Sequence, residues 1–160
     1  MREIAPEHFR NVMAHVPSSV AVVAGLVKGA PTGLSVGTFV PVSLEPPLVG
    51  FFVGENSRSW PPIRQLGAFC VSVLGHDQAS ISARFAVSEA DKFREVPWRP
   101  APSGHPVVAG SVAWVDCSIA AETTAGDHLF VLGAVIDMGV EVGQEPLVHH
   151  QSRYRHVAER

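Results

Sequence analysis

His128 follows Gly126 and Asp127, so an imidazole stands beside a carboxylate where the chain reverses. That pairing suits a group that orients a ligand or exchanges a proton near neutral pH. It equally suits a Gly-Asp turn with a surface histidine, and the three residues alone leave both readings open. Ser35 lies in Gly33-Leu34-Ser35-Val36-Gly37, which satisfies the G-x-S-x-G pattern of the hydrolase nucleophile elbow. An elbow needs a helix directly after its serine to aim the hydroxyl. Here Thr38-Phe39-Val40-Pro41-Val42 follows, β-branched and interrupted by proline, which argues against a serine hydrolase. What the segment Gly33 to Ser43 does offer is backbone N–H at glycines beside the hydroxyls of Ser35 and Thr38. A stretch of this kind either approaches a flat polar ligand closely or forms an ordinary strand–bulge–strand corner.

A second cluster is Gly54-Glu55-Asn56-Ser57-Arg58-Ser59, ahead of a short helix. Its hydroxyls, N–H groups and guanidinium form either an anion site or a capping box with Ser57 or Ser59 as the cap. Asp91-Lys92-Phe93 reads as a loop anchor or as a phosphate contact. His149 and His150, near Arg153 and Tyr154, line a pocket or decorate a terminal turn. Adjacent histidines point apart on a strand or a helix, which argues against a shared metal, and no metal-ligand set is expected. Cys70 and Cys117 sit far apart in apolar runs without C-x-x-C, as expected of two buried thiols in a reducing compartment.

These residues need a frame to position them. The 160 residues fit one domain spanning the whole chain, since domains cluster near about 100–150 residues. The charged fraction of 17% falls below an average of about 25% and leaves apolar area to hide in a subunit interface or under a ligand. A net charge of −3 without a basic stripe argues against nucleic-acid binding. No run nears the ~20 apolar residues of a membrane helix, and Met1 to Glu7 lacks a signal's apolar core, so a cytoplasmic protein is expected.

The apolar spacing of Phe9, Val12, Met13 and Val16 predicts a helix over Pro6–Val16. Strands are expected at Ser19–Val27, with Lys28 to Pro31 as its turn, and at Leu48–Val53 and Phe69–Leu74. Thr32–Ser43 should form two extended pieces around a tight bend. Short helices are expected at Ser59–Leu66, with Pro61 and Pro62 in the first turn, and at His76–Ala86, capped by Asp77. Ser88–His105 reads as a long functional loop pinned by Trp98. Val112–Ala121 and Leu129–Val142 form a hairpin across Glu122 to Asp127, bent at Gly133 or Gly139. Six or so strands, three small helices and no βαβ alternation predict a mainly β protein, an antiparallel barrel.

In order along the chain, GLSVGTFVPVSLEPPLVGFFV, NSRS, GAFCVSVL, RFA, DKF, AGDHLFVLGAV and Pro146-Leu147 followed by Tyr154 resemble the small flavin reductases of two-component monooxygenases. The likeness runs from about Phe9 to Tyr154. It implies a six-stranded antiparallel Greek-key split barrel, homodimeric, with flavin beside the subunit interface. It also implies reduction of FAD or FMN by NADH, or possibly NADPH, with the reduced flavin passing to a flavin-dependent monooxygenase. By position, Ser35, Val36, Gly37 and Thr38 would meet the isoalloxazine edge and flavin chain. Asn56, Ser57, Arg58 and Ser59 would hold the ribityl-phosphate region, with Ala86 and Lys92 near the cofactor. His128 would sit by the nicotinamide as the catalytic residue, and Tyr154 would close the pocket. The chain departs from the family at Gly37 and Pro41, where serine is commoner, and at His149, where tyrosine is.

Hydride transfer needs no protein nucleophile or metal, because the cofactor carries the chemistry. A stacked nicotinamide must bring its C4 to about 3–3.5 Å from flavin N5, which is a demand on positioning. The runner-up reading is a non-catalytic module holding flavin or haem on the same barrel. A pyridoxamine-phosphate-type oxidase shares the barrel too, but no added basic phosphate cluster supports it.

Overall fold

The computed structural model describes residues 3–88, 91–141 and 143–157. Helix α1, Pro6–Met13, starts on proline, which suits a first turn whose N–H groups have no partner in the helix. It stops short of Val16 because His15 and Val16 close back on Val12 and Met13 through three-residue bonds. None of its residues is buried, and Phe9, Val12 and Met13 stay about half exposed.

Strand β1, Ser18–Ser19, leads into β2, Ala21–Val27, and β3, Ala30–Val36. The β2–β3 turn is Lys28-Gly29, both at positive φ, the two-residue reversal that matches strand twist. Ala30 and Pro31, expected in the turn, instead open β3, an edge strand that tolerates proline. The expected bend falls at residues 37–39, before β4, Val40–Ser43, and β5, Leu48–Gly54. Helix α2, Trp60–Arg64, carries Pro61 and Pro62 in its first turn as expected. Strand β6, Ala68–Val73, and helix α3, Ala79–Ala86, follow. Gln78 rather than Asp77 stands at the start of α3, and its side chain is taken by the Gly75 N–H and the Ala109 carbonyl.

The segment expected to be irregular holds a small hairpin, β7, Trp98–Pro100, with β8, Pro106–Val108. Phe93 and Val96 pin it, at 5% and 7% exposure, whereas Trp98 is 37% exposed. Residues 89 and 90 of that segment lie outside the described residues. Strands β9, Ala113–Ala125, and β10, His128–Val140, form the long hairpin. Its turn is Gly126-Asp127 alone, tighter than expected because residues 122–125 stay paired. The register breaks between Leu132 and Gly133 and again between Val135 and Asp137, while Gly139 stays in register. Val142, the expected end of this strand, lies outside the described residues. The chain closes with β11, Leu147–His150, and β12, Arg153–His156, which pair with each other while β11 also pairs with β1.

The main sheet is antiparallel in the order β3-β2-β6-β9-β10-β5-β4. It has seven strands where six were expected, because β4 adds an edge to β5. Val23, Leu34, Phe51, Phe69, Cys117 and Val131 come from six of these strands and meet in one core. A sheet whose two ends share a core has coiled into a barrel. Trp60 and Ile63 of α2 plug it, and Phe51 sets its ring edge-on to Trp60 and Phe69 at 5.3 Å. Truncating either phenylalanine to alanine would cost about 3–5 kcal/mol. On the opposite face of β2, Val22 packs with Phe85, Phe93 and Leu147, which fixes α3 and the 91–97 segment beside β3.

Candidate functional site

A cleft of about 370 Å³ opens where β3, β5 and α3 end together. Its apolar lining comes from Leu34, Val36, Phe52, Val53, Phe85 and Val87. Its polar lining includes the hydroxyls of Ser57, Ser59 and Ser88 and the cations of Arg58 and Lys92. Ser35, Gly37, Thr38, Gly54, Ala86 and His128 complete the lining, so ten of the twelve residues assigned above line one cleft: Ser35, Val36, Gly37, Thr38, Ser57, Arg58, Ser59, Ala86, Lys92 and His128. Asn56 is exposed on the turn after β5 and does not line it. Tyr154 stands one residue back: its hydroxyl donates to Ser82 Oγ at 3.0 Å, which lies 3.2 Å from Ser35 Oγ. Ser82 belongs to no motif, and only the fold reveals it.

Each lining group has a reason for its place. Thr38 Oγ1 accepts the Phe52 N–H at 2.9 Å, so a side chain replaces the next rung of the β4–β5 ladder and ties the bend to β5. A Cβ on Gly37 would stand 3.1 Å from Ser18 Oγ, so the serine commoner in the family would need Ser18 to give slightly. Pro41 sits on the edge strand β4, opposite Val49, where it is tolerated. Of the two expected caps, Ser57 rather than Ser59 bonds the start of α2. Ser57 Oγ accepts the Trp60 N–H at 3.3 Å at the start of α2, and Ser59 Oγ accepts from Lys92 Nζ at 3.1 Å across the cleft. Helix α2 is in turn held to β9 by Glu122, which takes Trp60 Nε1 at 3.1 Å and Arg64 Nε at 2.5 Å.

Lys92 is 9% exposed and also donates to the Phe85 carbonyl at 3.1 Å. Phe93 is the loop anchor, packed edge-on to Phe85 at 4.8 Å, and this leaves Lys92 facing the cleft. A second cleft of about 300 Å³ continues past Arg58, Ser59, Ser88 and Lys92 toward Pro31, Thr32 and Gly33. At the opposite end, His128 opens β10 with Nδ1 2.6 Å from Asp127 Oδ1. That hydrogen bond, with the imidazole's charge, holds the exposed Asp127 carboxyl below the usual carboxylate range. His149 sets its ring against Tyr154 at 5.8 Å on the β11–β12 hairpin and lines neither cleft.

The donor set fits a flavin. A flat apolar ring system suits the apolar lining residues Leu34, Phe52 and Phe85, and a phosphate suits hydroxyls beside two cations. Asp116, Cys70 and Cys117 are buried and do not line the cleft. Asp116 accepts from Ser103 N at 2.9 Å and Ser103 Oγ at 2.6 Å. Burial, with Asp116 nearby, pushes the Cys70 thiol up and the Cys117 thiol up to about 12, in keeping with two inert core thiols.

Comparison with known proteins agrees with this arrangement. Residues 13–158 match the flavin reductase like domain. A flavin reductase from Pseudomonas putida is 39% identical over 152 residues, covering 94% of this chain and 89% of that protein. The reductase subunit HsaB of a flavin-dependent monooxygenase from Mycobacterium tuberculosis is 38% identical, covering 95% and 82%. The crystal structure of the NADH:FAD oxidoreductase SgcE6 from Streptomyces globisporus superposes with a TM-score of 0.89 at 32% identity over 99% of both chains. The chain belongs to the flavin reductase-like family. The oxidoreductase activity that goes with this membership is reduction of flavin by a nicotinamide cofactor. No helix among the described residues is long and apolar enough to cross a membrane.

Proposed function

We propose that this chain is the reductase component of a two-component monooxygenase, reducing FAD at the expense of NADH and releasing it to a separate oxygenase. The observation that carries the reading is a single cleft that brings apolar side chains together with hydroxyls and two cations. The choice of FAD over FMN is supported by the second cleft, which continues past Arg58 and Lys92 with room for a group beyond the first phosphate. The related Streptomyces protein is itself an NADH:FAD oxidoreductase, and the Mycobacterium relative is a monooxygenase reductase subunit.

Bound flavin supplies the hydride-accepting chemistry, and the chain's residues bind, orient and exclude water. Ser35, Val36, Gly37 and Thr38 would meet the flavin ring and chain, with Ala86 near the cofactor. Ser57, Arg58, Ser59 and Lys92 would hold its phosphates, with Asn56 on the exposed turn beside them. His128, oriented through Nδ1 by Asp127, would sit by the nicotinamide. Tyr154 closes the site from behind Ser82. The protein works as a homodimer in the cytoplasm. Half-exposed Phe9, Val12 and Met13 on α1, with Leu44 at 92% exposure, supply apolar surface for a second copy.

The test is steady-state NADH and NADPH oxidation with FAD, FMN and riboflavin, by the wild type and His128→Ala. Oxidation should require added flavin, run fastest with FAD and NADH, and show the larger His128→Ala penalty in the KM for NADH. No turnover with any pair would end the proposal, and equal penalties for NADH and flavin would remove the role given to His128.

A further inference from the structure

Three hydroxyls stand in series from the C-terminal hairpin to the cleft. Tyr154 on β12 donates to Ser82 Oγ on α3 at 3.0 Å, and Ser82 Oγ lies 3.2 Å from Ser35 Oγ on β3. Ser82 is 3% exposed, Tyr154 is 38% exposed, and Ser35 lines the cleft. Tyr154 is the chain's single tyrosine, and its ring is braced by His149. The cluster joins three elements that share no local sequence signal.

A proton count gives the series a direction. Each hydroxyl carries one proton and can accept through its lone pairs. The Tyr154 hydroxyl gives its proton to Ser82. Among the described residues Ser82 Oγ has Tyr154 and Ser35 as its side-chain partners, so its own proton turns to Ser35 Oγ. Ser35 is then engaged as an acceptor on its inner side, and its proton is left for the cleft. We propose that Ser82 and Tyr154 are positioning residues that set Ser35 as a hydrogen-bond donor toward the flavin. The group Ser35 meets is then an acceptor, a ring carbonyl, ring nitrogen or phosphate oxygen, rather than an imide N–H or a ribityl hydroxyl proton. This inference rests on the flavin reading above and assigns Ser82 a part that no motif suggests.

The experiment is a double-mutant cycle on FAD affinity. It takes wild type, Ser35→Ala, Ser82→Ala, Ser82→Thr, Tyr154→Phe and the Ser35→Ala/Tyr154→Phe pair, each with its own thermal melt. One hydrogen bond at this site corresponds to a loss of about fivefold in FAD affinity. Tyr154→Phe and Ser82→Ala should each show roughly that loss, with the effect falling on the KM for FAD more than on that for NADH. The pair should bind FAD no worse than Ser35→Ala alone, and Ser82→Thr should restore what Ser82→Ala loses. Losses that simply add in the pair overturn the relay, as does a Tyr154→Phe variant that melts lower yet binds FAD like wild type. Wild type that binds no flavin and oxidises no NADH overturns the flavin reading itself, a result separate from a failed cycle.

Discussion

His105 shows how a single side chain links burial to pH. It is 9% exposed, and its Nδ1 accepts the Leu26 N–H at 3.2 Å, which requires the neutral ring. Burial pushes its imidazole below the ordinary range, with Asp116 pulling partly the other way. The unfolded chain takes up a proton as pH falls through about 6.5, while the folded protein resists. The stability His105 contributes is therefore whole above that pH and is lost as pH drops below it. Melting temperature should fall between about pH 7 and pH 5, and less steeply in His105→Gln, which has no proton to gain. Equal slopes would contradict the account. At this scale the sequence was informative where function packs several groups into a short stretch. Ser57, Ser59 and His128 were legible from NSRS and GDH because each motif folds locally. Ser82 was not, because its meaning lies in β3 and β12, 47 and 72 positions away. Asn56 shows the converse, since adjacency to Ser57 in sequence does not carry it into the cleft.

At the scale of elements, the bend after β3 decides whether the cleft exists. Thr38 fastens it by accepting the Phe52 N–H at 2.9 Å. Thr38→Val keeps the shape and removes the bond, at about 1 kcal/mol, or a fall in melting temperature of about 2–4 °C for a chain this long. Thr38→Ser should hold the wild-type value, and a Thr38→Val protein that melts unchanged would show that the bond holds nothing. Strand identities and the β9–β10 hairpin were readable from β-branched runs and alternation. The errors fall where tertiary partners set a boundary. Residues 122–125 look like a loop until β10 pairs with them, and Trp98 looks like an anchor until Phe93 and Val96 take the buried position. The hairpin at Trp98 to Val108 hides in a proline-rich stretch because both strands are only three residues long.

For the molecule as a whole, a low charge count goes with apolar area left at the surface. The structure adds that part of the apolar area lies on α1 and at Leu44. An antiparallel barrel was expected from the strands and the lack of βαβ alternation, but nothing local says that Leu34 of β3 and Phe51 of β5 share its core. That closure brings apolar and cationic residues to one cleft from segments scattered over almost a hundred positions. The most direct measurement of the central claim is a crystal structure of the protein with FAD. The account predicts the isoalloxazine against Val36 to Thr38 and Phe85, with the phosphates between Ser57 to Ser59 and Lys92. FAD bound elsewhere, with that cleft holding only water, would contradict it.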